Sequence, residues 1–239
     1  TLIPSLLNVY EYNKTRKVKD VMIYEIAKTY DKAYNEESKI CGLMSGTYLT
    51  NRWNNALKVD FYIVKGIVED ILDYMGFKNR YTFELGTCSD LHPGVSADIM
   101  LDRKKIGVIG KVHPKITKDE IYVFELSLQA LMTKIKPIKY KEAPKYPAIE
   151  KDCAFILDKN ITSGEVMATI KKAGGRLLSD INIFDIYTGA NVGEDKKSMA
   201  YNLTFMDATR TLTDEEVMEV FNNIINKVCS THNAELRDK

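Results

Sequence analysis

Apolar residues recur along this chain with two different periods, and the places where one gives way to the other mark out its elements. Over residues 60–75, Val64, Ile67, Val68, Ile71, Leu72 and Met75 fall at helical spacing. Asp60 is placed to cap the start of that helix and Gly76 to close its end. Ahead of it, residues 21–26 read as a strand. Behind it, residues 97–101 and 106–112 flank the polar run Asp102-Arg103-Lys104-Lys105 and read as a hairpin, and residues 122–126 read as a further strand. Hairpins around one long helix predict an antiparallel α+β domain rather than a βαβ repeat.

A seam follows at residues 135–147, where three prolines and four lysines exclude a helix or a central strand and predict an extended connector. The boundary is therefore placed there, with one domain over residues 1–137, a linker over 138–146 and a second domain over 147–239. In the second domain, residues 153–157 read as a strand. Thr162 with Glu165 three residues on forms a capping box. The helix behind it turns Val166, Met167, Ile170 and Ala173 inward and stops at Gly174-Gly175. Strands over 181–187 and 198–206 come next. Thr213 with Glu216 makes a second capping box, opening a helix with Val217, Val220, Phe221, Ile224, Ile225 and Val228 on one stripe. Residues 234–237 supply a short last strand. This βαββαβ order is the ferredoxin-like plan, one sheet with both helices on one face.

The other face is free to bind something, and period-two alternation assigns its residues. Asp185 and Tyr187 point one way, Phe184 and Ile186 the other. Met199, Tyr201, Leu203 and Phe205 form the apolar set of the next strand, which leaves Ser198, Ala200, Asn202 and Thr204 opposite. An antiparallel pairing brings Tyr187 close to Ser198. An exposed tyrosine between a carboxylate and a hydroxyl suits an unstacked base: the ring offers a π-face, and Asp185 and Ser198 can read polar edges. Lys151, Lys171, Lys172, Arg176, Lys196, Lys197 and Arg210 are candidates for phosphate contacts. The plainer reading is a surface tyrosine, one of 14 in the chain. Residue pattern supplies a site and no identity.

Composition narrows the classes. The 239 residues carry a formal net charge of +1, so an RNA-binding site has to be local. Cys41, Cys88, Cys153 and Cys229 are scattered without a C-x-x-C pair, which reads as reduced thiols, and none of the three histidines has a metal-like partner three to five residues away. No apolar run approaches the roughly 20 residues that span a bilayer, and no signal peptide is evident. A start at Thr1-Leu2-Ile3-Pro4 reads as a piece of something longer.

Strings spread over nearly the whole sequence carry a resemblance. They are residues 59–69 (Val-Asp-Phe-Tyr-Ile-Val-Lys-Gly-Ile-Val-Glu), 91–97 (Leu-His-Pro-Gly-Val-Ser-Ala) and 106–114 (Ile-Gly-Val-Ile-Gly-Lys-Val-His-Pro). Further on come residues 145–152 (Lys-Tyr-Pro-Ala-Ile-Glu-Lys-Asp), 184–189 (Phe-Asp-Ile-Tyr-Thr-Gly), 196–198 (Lys-Lys-Ser) and 210–217 (Arg-Thr-Leu-Thr-Asp-Glu-Glu-Val). In order and spacing they resemble the bacterial-type phenylalanyl-tRNA synthetase β chain, in its C-terminal part. The resemblance implies a class II synthetase-like antiparallel domain without catalysis, followed by a ferredoxin-fold anticodon-binding domain whose base contacts carry over onto Asp185, Tyr187 and Ser198. It implies no cofactor in this segment, ATP and Mg²⁺ in the whole enzyme, and tRNA-Phe and a catalytic α subunit as partners in a cytoplasmic (αβ)₂ heterotetramer. The family's editing site lies in a region this chain does not include.

Val95 after His-Pro-Gly and Glu150-Lys151 depart from the more basic residues common in the family. A working class II site needs arginines that clamp ATP phosphates bidentately. Residues 21–30 offer Glu25 and Lys28 but no arginine, and residues 122–131 hold neither glycine nor arginine. His92 and His113, each before a proline, read as turn residues, and Trp53 carries no functional sign. Two other readings stay open: an amino-acid-sensing ferredoxin-like module, and a structural scaffold without a ligand.

Overall fold

The structure is a computed structural model of the chain, and its described residues are 1–53, 55–133, 145–189 and 192–237. They fall into two compact units, residues 1–139 and 140–239. Most of the expected connector, residues 134–144, lies outside the described residues.

The first unit begins with α1 (Ile3–Thr15), then β1 (Val21–Tyr30), β2 (Glu36–Ser45), the short ribbon β3 (Thr47–Thr50) and β4 (Ala56–Lys58), and α2 (Phe61–Tyr74). It continues through β5 (Tyr81–Leu85), β6 (Leu91–Leu101), β7 (Lys104–Val112), β8 (Ile121–Ser127) and the single turn α3 (Leu128–Leu131). Six strands form one antiparallel sheet in the order β1-β2-β8-β7-β6-β5. The expected cap is present: the Asp60 side chain accepts from the Ile63 N–H, and Gly76 leaves the helix at φ 84°. Val64, Val68 and Leu72 bury against Phe77, Ile99, Ile109 and Leu126 on one face of the sheet. On the other face, Leu2, Ile3, Leu6 and Tyr10 of the α1 segment bury against Cys41, Leu43, Ile121 and Val123. The β6–β7 hairpin is tighter than the four-residue turn expected, because Asp102 and Arg103 both adopt left-handed φ (48° and 66°) and close a two-residue loop.

The second unit runs β9 (Ile149–Asp158), α4 (Ser163–Gly174), β10 (Leu178–Tyr187), β11 (Lys196–Phe205), α5 (Asp214–His232) and β12 (Glu235–Leu236). The sheet order is β10-β11-β9-β12, all antiparallel, as the ferredoxin-like plan requires. Both capping boxes form reciprocally, at Thr162–Glu165 and Thr213–Glu216. Phe155, Tyr201, Leu203 and Phe205 are buried with Val166 and Ile170 of α4 and with Val217, Ile224 and Val228 of α5. The two helices are also joined by polar contacts. Thr169 Oγ1 lies 2.8 Å from His232 Nε2, and Asn223 Nδ2 donates to the Ala173 carbonyl at 3.0 Å.

One buried carboxylate ties the first unit together. Glu125 on β8 accepts from the Leu2 N–H at 2.5 Å, the Thr1 hydroxyl at 2.9 Å and the Lys39 ammonium at 3.1 Å. Burial pushes this carboxyl up, but the Leu2 N–H, Lys39 and the Thr1 hydroxyl together reverse that, so its pKa lies below the ordinary carboxylate value. A depressed folded pKa adds stability above the unfolded value of about 4.3 and loses it as pH falls through the folded value. Glu125→Gln is therefore expected to cost about 1–3 kcal/mol at pH 7 by urea unfolding, because it leaves Lys39 and the α1 start without the anion. The gap from wild type should narrow as the pH drops below about 4.

Candidate nucleic-acid interface

The burial of Met199, Tyr201, Leu203 and Phe205 under α4 and α5 forces Ser198, Ala200, Asn202 and Thr204 onto the uncovered face of β11. Tyr187 pairs directly with Ser198, so the juxtaposition drawn from alternation is present in the fold. Tyr187 is 38% exposed, whereas Ser198 beneath it is 3% exposed. Asp185 is exposed on the same face, opposite Ala200.

The sequence reading missed Arg237. Its backbone N–H donates to the Ala154 carbonyl at 2.9 Å, continuing the β12–β9 pairing by one residue. The guanidinium carbon then lies 5.6 Å from the centre of the Tyr187 ring, and Nη1 donates to Ser198 Oγ at 3.4 Å. A cation over a tyrosine face is attractive, and a guanidinium plane is itself a stacking surface for a base. Arginine, tyrosine and serine thus share one spot. Only long-range pairing of a two-residue strand puts the arginine there, so no local sequence signal marks it.

Alternation also failed at Phe184. A register shift between Ile183 and Asp185 makes Phe184 the extra residue of a β-bulge. Phe184 is 57% exposed and lines a groove with Ala200, Ala154, Asp152 and Arg237 that Phe221 and Ile225 of α5 also border, rather than joining the apolar core itself. The expected opposition of Phe184 to Asp185 and Tyr187 is therefore corrected by the bulge.

The basic residues are dispersed. Lys196 shares the Ser198 face and pairs with Glu235 at 3.0 Å. Lys197 points the other way, donating to the Lys159 carbonyl at 2.9 Å; burial lowers its pKa, with Glu165 opposing. Lys151 alternates with Cys153 and Phe155 on the helix-covered side, half-buried. Lys171 and Lys172 lie in the last turn of α4. Arg176 pairs with buried Asp207 at 3.1 Å, and Arg210 makes a two-pronged bond to Glu216 at 2.7 and 2.6 Å that draws the Glu216 pKa down to about 2. Of this set, only Lys196 stands on the face that carries Tyr187.

Residues 1–128 match the family described as the phenylalanyl tRNA synthetase beta chain CLM domain, and residues 144–237 match the ferredoxin-fold anticodon binding domain. The chain belongs to the phenylalanyl tRNA synthetase beta chain family. Phenylalanine–tRNA ligase beta subunits from Bacillus subtilis and Bacillus cereus are 37% and 38% identical to it, each over 99% of this chain. The subunit from Geobacillus kaustophilus is 36% identical over the same share. The chain spans 31% of the length of each of these relatives. Among the described residues, no helix is long and apolar enough to cross a membrane.

The family string Phe-Asp-Ile-Tyr-Thr-Gly ends on a glycine with a physical job: a Cβ at Gly189 would stand 2.3 Å from the Tyr187 hydroxyl. Gly189→Ala is expected to push the ring off its seat and away from Arg237 while changing stability by less than about 0.5 kcal/mol. Tyr187 ring resonances in NMR spectra, recorded beside a thermal melt, check both halves.

Proposed function

We propose that the chain is a segment of a phenylalanine–tRNA ligase beta subunit, and that its ferredoxin-like unit grips the anticodon of tRNA-Phe while a catalytic α subunit charges the other end. The observation that carries this reading is the Tyr187–Ser198–Arg237 constellation on the uncovered sheet face. Tyr187 stacks on an anticodon base, Ser198 and Asp185 read its edges, and Arg237 rearranges over the base or its phosphate. The rest of the enzyme supplies ATP and Mg²⁺ chemistry, and the assembly is a cytoplasmic (αβ)₂ heterotetramer.

The residues of the first unit do not fit ATP. No arginine occurs on β1, β2, β8 or α3, so nothing there can clamp a phosphate bidentately. The space over β1, β2 and β8 is instead lined by Met22, Tyr24, Ile40, Met44 and Phe124 with Ile67 and Ile71 of α2. An apolar hollow of that kind serves protein packing better than nucleotide binding. This unit acts as a non-catalytic support.

The test is binding of the 239-residue chain to an anticodon stem-loop of tRNA-Phe against a scrambled loop, at fixed salt. Tyr187→Ala is expected to weaken loop-dependent binding by about 1–3 kcal/mol, the usual worth of one base stacked on an aromatic ring. Weak, salt-sensitive binding to both loops, unchanged by the substitution, would leave a generic phosphate contact and favour a scaffold.

A further inference from the structure

We infer that the bulged Phe184 is the seat of a second unstacked base, neighbouring the one on Tyr187 along a single-stranded RNA. The inference rests on the anticodon reading of the same face and names a second nucleotide subsite within it.

Four observations converge. First, the bulge at Phe184 takes a large aromatic ring out of the core-facing alternation and leaves it 57% exposed on β10, the edge strand of the sheet. A phenylalanine uncovered on a sheet edge, beside the exposed Tyr187, leaves its ring face free to take a flat group. Second, the groove beside the ring has a floor of small side chains: Ala200 opposite the bulge and Ala154 on the next strand. With Phe184 on one side and Phe221 and Ile225 of α5 on the other, the small floor leaves room for a flat group between them.

Third, the far end of the groove is polar. Asn202 Nδ2 donates to Asp152 Oδ1 at 2.8 Å, and Asp152 lines the groove, so donor and acceptor atoms wait where the edge of a base on Phe184 would reach. Fourth, Arg237 bridges the two seats. Its backbone is bonded to the Ala154 floor while its guanidinium lies over Tyr187 and on Ser198. A cation between two ring seats meets the phosphate that links two splayed bases. Two residues, Asp185 and Ile186, stand between the rings, and the bulge shortens the rise, so the seats lie about 7–10 Å apart along the strand, a spacing for unstacked rather than stacked neighbours.

The experiment measures the affinity of the full chain for the anticodon stem-loop by fluorescence anisotropy at fixed salt, for wild type, Phe184→Leu, Phe184→Tyr and Tyr187→Ala. It is repeated with stem-loops carrying one abasic site at successive loop positions. The expected result is a loss of about fivefold or more for Phe184→Leu, at the low end of what one stacked base contributes, with Phe184→Tyr close to wild type. The Phe184→Leu loss should vanish for one abasic position, adjacent to the position that abolishes the Tyr187→Ala effect. If Phe184→Leu binds as wild type while Tyr187→Ala is impaired, the second seat is overturned and the anticodon reading stands. If neither variant changes loop-dependent binding, the anticodon reading fails and the second seat falls with it.

Discussion

The pairing register of β11 is the constraint from which the candidate site follows. Met199, Tyr201, Leu203 and Phe205 have to bury under α4 and α5, and a slip of one residue would expose all four. That apolar requirement places Ser198 and Ala200 on the other face. Register with β10 then sets Tyr187 on Ser198, and register with β9 sets Ala154 beside Ala200. The core of the unit thus dictates its surface. The bulge at Phe184 adds to this surface without disturbing the frame, because β10 is an edge strand and can take an extra residue on its own account.

Charge plays a narrower part than composition first indicates. The chain is nearly neutral, and much of its basic complement in the second unit is committed internally: Arg210 to Glu216, Arg176 to Asp207, Lys196 to Glu235, Lys197 to a backbone carbonyl. The uncovered face around Tyr187 therefore offers a ring and hydrogen-bonding groups, with Arg237 as the cation over Tyr187. A site of this kind discriminates by what a base presents, where a basic stripe would bind any phosphate chain. The first unit answers a different demand. Its sheet is covered by α1 on one face and α2 on the other, while the exposed side of β1 shows Met22, Tyr24 and Ile26 to the surroundings.

Elements with local chemistry were legible in the sequence. The Asp60 cap and both capping boxes announce their helices through hydrogen bonding within a few residues, and the Gly174-Gly175 stop through the positive φ that Gly175 takes. The βαββαβ order followed from them together with the strand-like runs, and alternation with antiparallel pairing placed Tyr187 near Ser198. What stayed hidden depends on long-range contact. β2 passes from polar Glu36–Lys39 into a stretch buried on both faces, so it shows no alternation. α1 carries only three buried residues and lacks a side-chain cap, which leaves a weak stripe. The Phe184 bulge breaks the assumption of unbroken pairing on which alternation rests. Arg237 reaches Tyr187 only because β12 joins β9 from far along the chain, and the ion pair of Arg176 with Asp207 likewise forms only in the fold.

The central claim is that the anticodon loop lies on the uncovered face of the β10-β11-β9-β12 sheet. Hydrogen exchange read by mass spectrometry, on the full chain with and without the anticodon stem-loop, tests it directly. The predicted result is loop-dependent protection at residues 182–187, 198–202 and 235–237, absent with a scrambled loop. Protection confined to the outer surfaces of α4 and α5, or to the first unit, with those strands unchanged, would contradict it.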